Sequence, residues 1–191
     1  MSLENTGLSD VRPVIVGVGS VLMGDDGVGP AAIEALRRHG VGRRADLIDA
    51  GLAFSEVLCD LEPSRPMVII DAVRAGGKPG SIRRLDAAGL DPQGGSMPLA
   101  VSLHELSVLP ALRMEALAGR EFTDVTIFGV EPGELAWGER LSPPVAQATE
   151  QLVPAVCRYL DERAAPGDRD ARPSGARPAA CGISTSAAQM E

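Results

Sequence analysis

Several things this 191-residue chain lacks narrow its chemistry. It has three cysteines, Cys59, Cys157 and Cys181, far apart and without a C-x-x-C pair, so no disulfide framework is encoded and the thiols read as buried or idle. It has two histidines, His39 and His104, which excludes a histidine-rich metal site. No apolar run is long enough to cross a membrane. Positive charge is in short supply: the formal net charge is −8, the wrong sign for a general nucleic-acid binder, which needs a basic face for the phosphates. The first residues, "MSLENTGLSDVRP", lack the basic and then apolar regions of a secretory signal, so a cytoplasmic protein is expected.

Two loop signatures are missing as well. "VIVGVGSVLMGDDGVGPAAIEAL" (14–36) runs from an apolar strand through glycines into a helix, the usual setting of a phosphate cradle. Gly17 and Gly19 supply G-x-G, but the third glycine of G-x-G-x-x-G is replaced by Leu22, and no G-K-[ST] follows. Asp25 and Asp26 in the crest of the loop would repel a pyrophosphate, so the glycines read as allowing a tight turn that exposes the acids. No G-x-S-x-G elbow is present either, which argues against a serine hydrolase.

What is present is an alternation of apolar strands and helices. Strands are expected at 13–18, 45–51, 66–73 and 124–132, with an edge strand near 81–86. Helices are expected at Val28–Arg38, over 53–61, from Ser107 to Leu117, and over 141–162. Pro30 fits the first turn of its helix, and Pro110 sits at the third position after a Ser107 cap, where backbone donors are free. In the last helix Ser142 is the expected cap and Pro143 the start. Val145, Thr149, Leu152, Val156 and Tyr159 form its apolar stripe, and Pro154 is expected to kink it. Apolar strands alternating with helices imply a largely parallel sheet covered on both faces, a doubly wound α/β domain. Residues 1–12 are expected to be flexible and 13–163 to form the single domain. The Pro-, Gly-, Ala- and Ser-dense stretch 164–191 is expected to be disordered.

In such sheets ligands gather outside the carboxyl ends of the strands. Four exits carry polar groups that can meet there: Asp25 and Asp26, then Asp49, then Asp71, with His104 following the edge strand. Each has a plainer reading. Asp49 suits a turn, Asp25 suits the N-terminus of the first helix, and His39 reads as a solvated residue at that helix's C-terminal end. Together, carboxylates and one imidazole suit a divalent transition metal with open coordination positions.

The chain resembles the [NiFe]-hydrogenase maturation endopeptidases. The resemblance rests on "GVGSVLMGDDGVG" (17–29), "IDAG" (48–51), "VIIDAV" (68–73) followed by "GGKPGSI", "SLHELS" (102–107), and "IFGVEP" (127–132) leading to "LSPPV", in order over roughly 13–162. It implies a three-layer fold with five strands, helices on both faces and one antiparallel edge strand, here 81–86. It implies that Asp26, Asp71 and His104 are the catalytic and metal-contacting residues, with Asp25 as a helix-end acid or a support beside the metal. Asp26 stands where some members have Glu, and Ser20 where Asn is common. The implied activity is removal of the C-terminal extension from a hydrogenase large-subunit precursor. Nickel is carried by that precursor, with no organic cofactor, no nucleic acid and no membrane involved. A non-catalytic nickel-binding maturation chaperone or scaffold is the alternative. A nucleotide-binding enzyme on the same fold is disfavoured by the acids and the missing glycine.

Overall fold

A computed structural model describes residues 11–86 and 108–164. The apolar, β-branched runs form the strands: β1 is Val14–Val18, β2 Asp46–Gly51, β3 Met67–Ala72, β4 Ile82–Asp86 and β5 Val125–Val130. They make one sheet in the order β2-β1-β3-β5-β4. β1, β2, β3 and β5 are parallel, and β4 pairs antiparallel with β5 at the edge. β1, β3 and β5 are buried along their whole length, as continuous apolar runs require in a sheet covered on both faces. β2, at the other edge, is only partly buried.

The helices are α1 (Val28–Arg38), α2 (Phe54–Asp60), α3 (Val108–Leu117) and α4 (Pro143–Arg163). Strand alternation sorts the core into two layers. Ile15, Val68, Ile70, Phe128 and Val130 pack against Ile33 and Leu36 of α1 and against Leu152, Val156 and Tyr159 of α4. Val14, Val16, Met67, Ile69 and Ile127 face Phe54 and Leu58 of α2 and Val108 of α3. The expected stripe of α4 is buried throughout, and Pro154 lies inside that helix. In α1, Ile33 is fully buried and Ala31 only partly. Pro110 lies in the first turn of α3 as expected, while the Ser107 cap falls outside the described residues.

Ser142 precedes α4 but does not cap it with its side chain. Pro143 and Pro144 have no N–H to offer, and the hydroxyl donates instead to Asp25 Oδ2 at 2.8 Å. Among the described residues no helix is long and apolar enough to cross a membrane.

β1 has a neighbour on each side, and the chain moves outward from it in both directions, first to β2 and then to β3. The gap between the carboxyl ends of β1 and β3 is therefore the topological switch point of the sheet. α1 starts directly above it, in backbone contact with the sheet. A Cβ on Gly29 would stand 2.1 Å from the Val18 carbonyl oxygen and 2.7 Å from that of Ile70.

Candidate functional site

The first loop leaves β1 through Gly19, whose φ of +119° strongly favours glycine. A Cβ there would lie 1.9 Å from the Asp26 carbonyl oxygen, so the loop folds back onto the strand end. A 3-10 turn, Gly24–Gly27, then feeds α1. The loop's amides are used internally. Gly19 N–H donates to Gly51, Met23 N–H to Ser20, Gly24 N–H to Gly138, Asp25 N–H to Glu134 and Asp26 N–H to Met23, each to a carbonyl at 2.7–3.3 Å. Ser20 N–H donates to Asp26 Oδ2 at 2.6 Å, and Leu22 N–H to Ser20 Oγ at 3.3 Å. A phosphate cradle needs such donors free. In this loop they are already satisfied.

The adjacent acids part company. Asp26, half-buried, sits over the switch point. Asp25 is fully buried and turned the other way. Its Oδ2 accepts from Gly133 N at 2.7 Å, Glu134 N at 2.9 Å and Ser142 Oγ, and its Oδ1 from Ser142 N at 2.6 Å. Burial opposes ionisation, but these donors outweigh it and hold the carboxyl below the ordinary range. The expected helix-end or metal-supporting acid is thus an anchor for the segment between β5 and α4.

Asp71 lies near the end of β3, opposite Gly129 of β5. By alternation it shares the face of Met67 and Ile69, beneath α2 and α3. It is 3% exposed. Its Oδ1 accepts from Ala72 N at 2.8 Å, while its Oδ2 has no hydrogen-bond partner among the described residues. Desolvation, and after it the nearby charge of Asp26, push its pKa from 3.8 to about 8 against the Ala72 hydrogen bond. The two carboxyls are therefore close enough to sense each other, and Asp71 keeps a proton at neutral pH.

Asp49 is exposed and accepts from Gly51 N at 3.1 Å, the turn-forming role that its plainer reading anticipates. It also lines a surface pocket of about 290 Å³ with Val21, Gly24, Pro30, Glu139 and Leu141. His104 lies outside the described residues. Among the described residues no group of three or more His, Cys, Asp or Glu side chains is arranged to hold a metal. Asp26 and Asp71 supply two carboxyls of the expected three-residue set.

Sequence reasoning passed over Glu131. It is 7% exposed, and its Oε2 accepts from Ala75 N at 2.8 Å and Gly77 N at 2.9 Å. It ties the β3–β4 connection to the end of β5. The signal was available, an acid at the exit of a buried strand in "IFGVEP".

The sequence model of the HycI hydrogenase maturation protease family matches residues 30–159, well over half of the chain. The chain belongs to the hydrogenase maturation protease family. The hydrogenase expression/formation protein HupD of Thiocapsa roseopersicina is 30% identical over 155 residues, covering 80% of this chain and 68% of that protein. The fold matches the hydrogenase maturating endopeptidase HybD of E. coli with a TM-score of 0.62 at 25% identity, over 79% of this chain and 93% of that one. It matches a hydrogenase 2 maturation peptidase from Thaumarchaeota archaeon SCGC_AB-539-E09 with a TM-score of 0.57 at 32% identity, over 78% and 97%. Membership makes this protein one of a family of peptidases, whose five-stranded sheet with one antiparallel edge is the fold seen here. The family match begins at Pro30, so Asp71 and His104 lie within it and Asp26 just before it.

Proposed function

We propose that this maturation protease removes the C-terminal extension of a nickel-loaded [NiFe]-hydrogenase large-subunit precursor, and that Asp26, Asp71 and His104 meet the nickel that the precursor brings. The observation that carries the reading is the Asp26–Asp71 pair at the switch point, with a buried carboxyl oxygen on Asp71 that has no partner among the described residues. Native structures seldom leave such an atom orphaned without a use. An incoming cation gives it a partner, and by displacing the Asp71 proton it lets both carboxylates face it as anions.

The chemistry on this chain's own atoms follows from that pair. Asp71 holds a proton at neutral pH because it is desolvated and faces the Asp26 charge. It releases that proton when a cation reaches Oδ2, since a ligating carboxyl must be deprotonated. With the cation bound both carboxyls are ionised, so the pair then offers a general base to the water that attacks the scissile amide. His104 enters from the family resemblance. It stands four residues before Val108, which is fully buried on the sheet face shared with Ile69. A resident metal is not required: carboxylates and an imidazole read nickel already seated in the substrate.

The test is the mass of a purified precursor before and after incubation with this protein, with and without nickel. Shortening by one C-terminal peptide in the nickel-loaded arm alone supports the proposal. An unchanged mass, with the protein bound to the precursor, supports a non-catalytic chaperone or scaffold instead.

A further inference from the structure

Asp25 has no part in the chemistry just described, yet it is the best-satisfied carboxylate of the loop. Each of its four hydrogen bonds reaches the segment between β5 and α4. Backbone bonds run between the same two segments: Asp25 N to Glu134 O at 3.1 Å, Gly24 N to Gly138 O at 2.7 Å, and Gly138 N to Leu22 O at 3.0 Å. Met23 and Gly138 form a parallel bridge. The cradle is closely fitted, since a Cβ on Gly133 would lie 3.3 Å from Asp25 Oδ2 and 3.5 Å from Ser142 Oγ.

The fastened segment has a surface of its own. Trp137, the one tryptophan in the chain, is 83% exposed on it, and Val21 and Leu22 on the facing loop are 55% and 45% exposed. An exposed tryptophan flanked by apolar side chains at the rim of a site is the composition of a protein-contact anchor.

We propose that Asp25 is the positioning residue of this site. It clamps the 133–142 segment, with Trp137 at its surface, onto the turn that carries Asp26, so that the substrate-contacting segment and the carboxylate keep a fixed register. This rests on the proposed processing of a protein substrate, which the Trp137 segment would touch while Asp26 meets its metal.

The two tests are Asp25→Asn and Ser142→Ala in the full chain. Asparagine keeps the shape but sets an NH2 against at least one N–H donor, because both carboxylate oxygens accept from backbone amides. Ser142→Ala removes one bond of the four. Because Trp137 is the single tryptophan, its fluorescence anisotropy and acrylamide quenching report on the clamped segment alone. With the fold retained by circular dichroism, Asp25→Asn is expected to lower the anisotropy, increase quenching and reduce kcat/KM on the nickel-loaded precursor about 10- to 100-fold, with Ser142→Ala in between. The KM component should rise, because the contact segment is loosened.

Wild-type anisotropy in a folded Asp25→Asn variant overturns the clamp. A loosened Trp137 with unchanged kcat/KM overturns the positioning role. If Asp25→Asn fails to fold, Ser142→Ala decides by the same two readouts. A wild-type chain that leaves the precursor intact refutes the processing reading and the positioning role with it, while the anisotropy still decides whether Asp25 orders the segment.

Discussion

Asp71→Asn tests the electrostatics of the site without disturbing its shape. The folded protein holds a proton on Asp71 up to about pH 8, whereas the unfolded chain gives it up near 3.8. A folded-state pKa raised in this way means that stability is full below about pH 4 and is lost as pH climbs toward 8, because the native state binds the extra proton. Each pKa unit corresponds to about 1.4 kcal/mol, so the penalty at pH 7.5 has a ceiling of about 5 kcal/mol. Local relaxation and entering water reduce it to about 2–3 kcal/mol, in keeping with the high effective dielectric found at buried sites. Asparagine never ionises, and it resembles the protonated acid in keeping an acceptor for Ala72 N–H. Relative to wild type it should gain nothing at pH 4 and about 2–3 kcal/mol at pH 7.5, a rise of about 5–10 °C in Tm for a chain of this size. Activity should be lost in the same variant, so stability and function move in opposite directions. The assay is thermal unfolding by calorimetry of both proteins at half-unit steps from pH 4 to 8. A Tm difference that stays flat across that range, or an asparagine variant less stable at pH 7.5, refutes the desolvated-carboxyl account.

Three further outcomes follow from the same structure. Asp26→Asn removes the second cause of the Asp71 shift, so the Asp71 carboxyl should titrate at lower pH, read by carbon-detected NMR of the side chain; an unmoved midpoint would separate the two acids. Gly29→Ala drives a methyl group into the Val18 and Ile70 backbone, which cannot yield as a flexible side chain would, and should cost about 3 kcal/mol or prevent folding; denaturant titration with a near-wild-type midpoint contradicts that contact. Deleting 165–191, which starts just beyond α4 and contains almost no large apolar residues, should leave Tm within about 2 °C, and a larger drop would show that it contributes to the core.

The order of strands and helices was legible because each element carries its own period. Met67–Ile70 is an uninterrupted β-branched and apolar run that only a doubly covered strand explains, and the Val145–Tyr159 stripe marks one face of α4. The carboxyl-end location of the acids was legible for the same reason, since Asp26 follows a recognisable strand and Asp71 stands near the end of another. The direction in which each acid points was not. Asp25 is held by residues more than a hundred positions away, and no local pattern distinguishes an outward carboxylate from one that meets Gly133 and Ser142. Ser142 shows the same limit: its position marks a helix cap, but two prolines deny it the nearest amides and a distant carboxylate takes its hydroxyl. Glu131 escaped because its partners, Ala75 and Gly77, sit in a connection whose path the sequence leaves open. The third expected member, His104, depends on the resemblance, its position lying outside the described residues.

The most direct measurement compares the wild-type protein with an Asp26→Ala/Asp71→Ala/His104→Ala variant, each incubated with nickel-loaded precursor and followed by intact-protein mass spectrometry. The account predicts that wild type shortens the precursor and that the triple variant, folded by circular dichroism, leaves it at full mass. A triple variant that trims at the wild-type rate would contradict the claim that these three side chains do the work.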